Sequence, residues 1–178
     1  WFAEPGGQQG LEPVAESLGV EFLKGAVVDP VSQAMTRTSA DFLILSTYGR
    51  HPAVAGFHLR TLFPQATGLR HRETKEWRAT PLIDTAESAW QETAPLSGEV
   101  QFDRGRDAAG PITLGLAFTR KLEEREQRIV VLGDGDFLSN TYLGNLGNQD
   151  LGMNLMNWAA TDDAFLNIPT RTAPDLTL

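Results

Sequence analysis

The sequence predicts an α/β domain whose mostly parallel sheet is flanked by helices. Three observations carry that expectation. Ile129-Val130-Val131-Leu132 is apolar and mostly β-branched, as befits a strand covered on both faces by helices. It runs into Gly133-Asp134-Gly135-Asp136-Phe137 and then, through a Gly- and Asn-rich loop, into a segment with helical spacing. A further helix and several short strand-like runs precede this unit, and in such folds functional groups gather at the carboxyl ends of the strands.

Taken in order, Trp1-Phe2-Ala3 followed by Glu4-Pro5-Gly6-Gly7 reads as the end of a strand entering a turn. The chain is therefore expected to begin inside a domain, with the sheet incomplete at the N-terminus. Leu11, Val14, Ala15 and Leu18 share one helical face, with Pro13 in the first turn and Gly19 placed to end the helix. Val20, Phe22 and Ala26-Val27-Val28 read as strand, closed by the turn pair Asp29-Pro30. Phe42 to Leu45 fits a buried strand, and Trp77 to Thr80 with Leu82-Ile83 supplies further strand candidates.

Glu92 to Gly110 is polar and reads as a long connection. Ile112, Leu114, Leu116 and Phe118 alternate with smaller or polar residues, the period of a strand with one heavier face. The charged run Arg120 to Arg128 reads as a solvated turn or edge. Asp150 is expected to open the last helix, on which Leu151, Leu155 and Trp158 share a face. This divides the chain into an α/β domain over 1–160 and an exit linker over 161–178, where Asp162-Asp163, Pro169 and Pro174 replace the apolar pattern.

Composition excludes several functions. Hydrophobic residues at 41% and charged residues at 21% describe a chain that folds. The net charge of −8, with basic residues in scattered singles or short clusters, argues against nucleic acid, whose binding needs a continuous basic surface. With no cysteine there is no disulfide, thiolate metal site or Cys nucleophile. No run of about 18 apolar residues is present to span a membrane.

The residues able to carry chemistry cluster after the Ile129 strand. Asp134 and Asp136 stand two apart on a strand-end turn and could share a Mg²⁺ ion for phosphoryl transfer, or could accept backbone N–H groups as turn and cap residues. Ser139, Asn140, Asn148 and Asp150 complete the candidate ligand-binding set, with capping of the helix as the competing role for Asn148 and Asp150. Asn154 and Asn157 are polar on a helix that does not need them. His51, His58 and His71 have no common periodicity and make a weak metal set. Ser139, His51 and Asp84 make a hydrolase triad only on paper, since Ser139 lies in no nucleophile elbow. No cofactor is expected.

The segment from Arg128 to Asn140, followed by Gly147 to Leu151 and Asn154 to Trp158, closely resembles the closing motif of gliding-motility-type ABC-transporter auxiliary components. Glu4-Pro5-Gly6, Leu11 to Val20 and Val27-Val28-Asp29-Pro30 fit the same pattern, as do Tyr48 to Pro52 and Leu62-Phe63-Pro64. The resemblance implies a flavodoxin-like domain related to the class I glutamine amidotransferase-like fold, without the amidotransferase Cys and His. It implies an extracytoplasmic region with membrane helices elsewhere in the parent protein, and a non-catalytic role beside permease and ATPase subunits, with a peptide, glycan or other exported ligand. A sheet lacking its first strands would leave an edge bare, so a homodimer is also expected.

Overall fold

The computed structural model describes residues 1–8, 10–37, 39–97 and 100–160. In chain order the elements are α1 (Glu12–Leu18), β1 (Val20–Phe22), β2 (Ala26–Val28), α2 (Pro30–Thr36), β3 (Phe42–Leu45), β4 (Thr61–Pro64), β5 (Leu69–His71), β6 (Arg78–Asp84), β7 (Trp90–Glu92), β8 (Ala108–Ala109), β9 (Thr113–Leu122), β10 (Arg125–Leu132) and α3 (Asn148–Ala159), with a 3-10 turn at Asp136–Leu138. The expected exit linker at 161–178 lies outside the described residues.

The expectation of a mostly parallel, flavodoxin-like sheet is overturned. Among the described residues every pairing between the named strands is antiparallel, and strand (about 32%) outweighs helix (about 18%). The main sheet has the order β1-β5-β9-β10, with β6 also on β9; β2-β7-β8 and β3-β4 form two smaller sheets. The reason lies between β9 and β10. Only Glu123 and Glu124 separate Leu122 from its partner Arg125, and so short a connection cannot carry the chain over to a parallel neighbour. The charged run is the exposed tip of this hairpin.

The apolar run in β10 was nonetheless a true sign of burial on both faces. On one face Ala117, Val130 and Leu132 pack with Leu151, Leu155 and Trp158 of α3, with Phe137, and with Leu43 and Phe63 of β3 and β4. On the other, Leu116, Phe118 and Val131 pack with Ala15 and Leu18 of α1, with Leu69 and with Trp77. Period-2 alternation fails in β9 because both of its sides are covered: Leu114 through Phe118 are all buried.

Three local readings also change or gain detail. α1 ends as expected at Gly19, which takes φ +71° and donates to the carbonyls of Ala15 and Glu16. Asp29-Pro30, read as a turn, instead starts α2: the Asp29 carboxylate accepts from Val31 N (3.1 Å) and Ser32 N (3.2 Å), and Pro30 sits where a missing N–H costs nothing. Residues 1–3 run alongside the end of β10, with a parallel bridge between Phe2 and Leu132. Leu132 N donates to Trp1 O (2.9 Å) and Ala3 N to Leu132 O (2.8 Å).

Candidate functional site

The Gly-Asp loop leaves β10 under tight steric constraint. Gly133 lies against Thr67, whose N–H donates to the Gly133 carbonyl (2.7 Å), and a Cβ at 133 would fall 1.8 Å from Thr67 O. Only glycine lets the two backbones approach this closely. The next residue, Asp134, is 1% exposed. Its Oδ1 accepts from Phe137 N (3.1 Å), while Oδ2 has no hydrogen-bond partner. Burial, reinforced by the nearby charges of Glu4 and Asp136 and opposed by the Phe137 N–H, pushes its carboxyl up to about 8. Asp136, two residues on, is exposed at the start of the 3-10 turn. The two carboxyl groups therefore occupy different environments, one buried and the other in solvent.

A third acid, which sequence reasoning did not place here, completes the loop. Glu4 Oε1 accepts from Gly135 N (2.8 Å) and Asp136 N (3.1 Å). Successive backbone N–H groups of this kind form a small anion-binding nest, and in this fold the chain's own carboxylate fills it. Although Glu4 lies at the surface, partial desolvation of its carboxyl and the neighbouring Asp136 charge raise it above its ordinary value despite those two bonds. Phe2 packs edge-on against Phe137 (ring centroids 5.8 Å apart), so residues 2–4 clasp the loop through both an apolar and a polar contact. The separation of more than 130 residues hid the partnership; Glu4 drew notice only as part of the run Glu4-Pro5-Gly6, through its turn pattern and its resemblance to the family.

Asn148 is the polar centre of the site. It is fully buried, accepts from Leu62 N (2.8 Å), and directs its amide nitrogen at the carbonyls of Leu62 (3.0 Å), Phe137 (3.0 Å) and Tyr142 (3.1 Å). One side chain thus pairs with β4 as a strand neighbour would and fastens the loop to it. Neither Asn148 nor Asp150 is the N-cap of α3, a position held by Gly147, which has no side chain to cap it. Asp150 lies half-buried in the first turn.

Ser139 follows the 3-10 turn, and its carbonyl accepts from Tyr142 N (3.0 Å) and Leu143 N (2.8 Å); Asn140 is exposed. Asn154 is buried in α3. His51 leans on Trp158 (4.5 Å between ring centroids) and its Nδ1 accepts from Ala53 N, while Asp84 accepts from Thr113 Oγ1 (2.6 Å). Among the described residues no group of three His, Cys, Asp or Glu could hold a metal ion. No helix among them is long and apolar enough to cross a membrane.

Fold and site together define a predominantly antiparallel domain closed by an acidic loop whose buried polar groups bond the protein's own backbone. The chain belongs to a family of ABC-transport auxiliary components: the family model described as "ABC-type uncharacterized transport system" matches residues 2–167. No curated protein matches the chain. The protein is thus an auxiliary component of an ABC-type transport system.

Proposed function

We propose that this domain is a non-catalytic binding or scaffolding module of its transport assembly, working outside the cytoplasm beside the permease and ATPase subunits, in systems serving gliding motility or export. The observation that carries this reading is that the loop's polar groups bond the protein's own backbone. Glu4 fills the backbone nest, Asp134 holds the turn, and Asn148 ties loop, helix and strand together. A loop built in this way presents a fixed outer surface, and its exposed members Asp136 and Asn140 are where a peptide or glycan ligand would meet it.

Mg²⁺-assisted hydrolysis gains nothing from this arrangement. Of the acids near Asp134, Glu4 is engaged by two N–H groups and Asp136 is exposed, and among the described residues no group of three His, Cys, Asp or Glu could hold a metal ion. The test is co-purification from solubilised membranes with the tagged full-length protein as bait. Recovery of a permease and an ATPase subunit with it is the expected result. Recovery of neither, under conditions that keep the transporter assembled, would defeat the proposal.

A further inference from the structure

A second surface lies at the opposite end of β10 from Asp134. Residues 70–78 and 120–128 hold eight of the chain's fifteen Lys and Arg residues and a net charge of +3, in a chain whose total is −8. Four of these cations, Lys75, Arg78, Arg120 and Lys121, line a groove of about 580 Å³ together with Glu73, Glu76 and Glu126; it is within the range of ligand-sized clefts and is formed mainly by the β5–β6 connection, the start of β6 and the end of β9. Two of its acids are already paired: Glu76 with Arg120 (2.9 Å) and Glu126 with Arg128 (2.7 Å). Among the described residues Lys75, Arg78 and Lys121 make no ion pair, and they face one remaining acid, Glu73. The floor is firm, because the Arg120 guanidinium lies 4.5 Å from the centre of the Trp77 ring while bonding Glu76 and Gln127.

The backbone at this groove is also open. Leu122 and Arg125 close the two-residue hairpin, so Leu122, Arg120 and Phe118 direct their N–H and C=O groups toward β10, whereas Ala117, Thr119 and Lys121 direct theirs the other way. Thr80 and Arg78 of β6 stand opposite Ala117 and Thr119. β6 begins at Arg78, which leaves the main chain of Lys121 facing the groove with no strand beside it. We propose that an extended acidic peptide segment of a partner protein docks here, continuing the line of β6 along the edge of β9 and placing its carboxylates against Lys75, Arg78 and Lys121. Main-chain groups in line with a strand select an extended polypeptide, and the unpaired cations select an acidic one.

The probe is a fluorescein-labelled peptide of about eight residues alternating Glu and Val, long enough to run as a strand past Lys121 and measured by anisotropy against the 178-residue chain. Binding is expected at ~50 mM salt and strong weakening at ~0.5 M, with none for the Lys-Val counterpart. Lys121→Ala should weaken binding about 3- to 10-fold through the lost charge, and Lys121→Pro about tenfold more, because proline removes the outward N–H without breaking a bond to β10. Methylating the peptide's backbone nitrogens should reproduce the second loss, and this serves as the readout if Lys121→Pro does not fold. Equal binding of acidic and basic peptides would overturn the proposal, as would insensitivity to both backbone changes. Displacement of the peptide by vesicles of anionic lipid, with that binding unaffected by Lys121→Pro, would assign the groove to a membrane surface instead.

Discussion

At the scale of single residues, Asp134 and Asn148 decide whether the acidic loop is scaffold or chemistry. The folded protein holds the Asp134 proton up to about pH 8, whereas the ordinary value is 3.8, so the folded state binds that proton more tightly than the unfolded chain. Its stabilising contribution is complete below the unfolded value and is lost as pH rises through the folded one. Glu4, also raised, acts in the same direction. Asp134→Asn, which imitates the neutral acid and keeps the acceptor for Phe137 N, should flatten the fall in stability between about pH 5 and about pH 8.5, as read from urea midpoints. Asn148→Ala should cost about 2–4 kcal/mol, because it leaves the buried or partly buried backbone groups of Leu62, Phe137 and Tyr142 without this partner. The sequence drew attention to both positions, through a strand-end Asp and an Asn beside a helix start. It could not reveal their partners, since Leu62 and Glu4 reach the loop only through the folded chain.

At the scale of elements, local signals succeeded where the chain makes its own structure and failed where a neighbour decides. The spacing of Leu11 to Leu18 and the following Gly19 were enough to read α1, because propensity and the left-handed end of the helix are properties of those residues. α2 was equally legible in principle: Asp followed by Pro is a cap followed by a first-turn residue as well as a turn. Asp29→Ala should destabilise the fold by about 1–2 kcal/mol in equilibrium unfolding, since the carboxylate also accepts from the Ser32 hydroxyl (2.7 Å) and the Ser88 hydroxyl (3.2 Å). For β10 an apolar run reported burial on both faces truthfully, and the step from there to a parallel sheet failed. Burial on both faces follows from what packs above and below, and only nine residues lie between Thr119 and Ile129, too few for a crossover helix. That length was the available sign of a hairpin.

At the scale of the whole molecule, the main sheet is enclosed on both faces and residues 1–3 lie along the outer side of the end of β10. The expectation of a dimer rested on apolar surface or a strand edge left bare by a parallel sheet lacking its first strands; the faces of the main sheet are covered, while main chain at Lys121 of β9 stays open. Light scattering on the isolated chain should give a monomer mass; a dimer would point instead to self-association through a strand edge, of which β9 at Lys121 is one. Family membership associates the domain with an ABC-type transport system, while the acidic loop decides whether it brings chemistry there. The most direct measurement is the thermal unfolding midpoint of the chain, and of Asp136→Asn, with and without millimolar Mg²⁺ or Ca²⁺. A scaffold loop, with Asp134 neutral and Glu4 bonded to backbone, should leave both midpoints unmoved by either cation. A rise of several degrees in the unsubstituted chain that Asp136→Asn abolishes would contradict it.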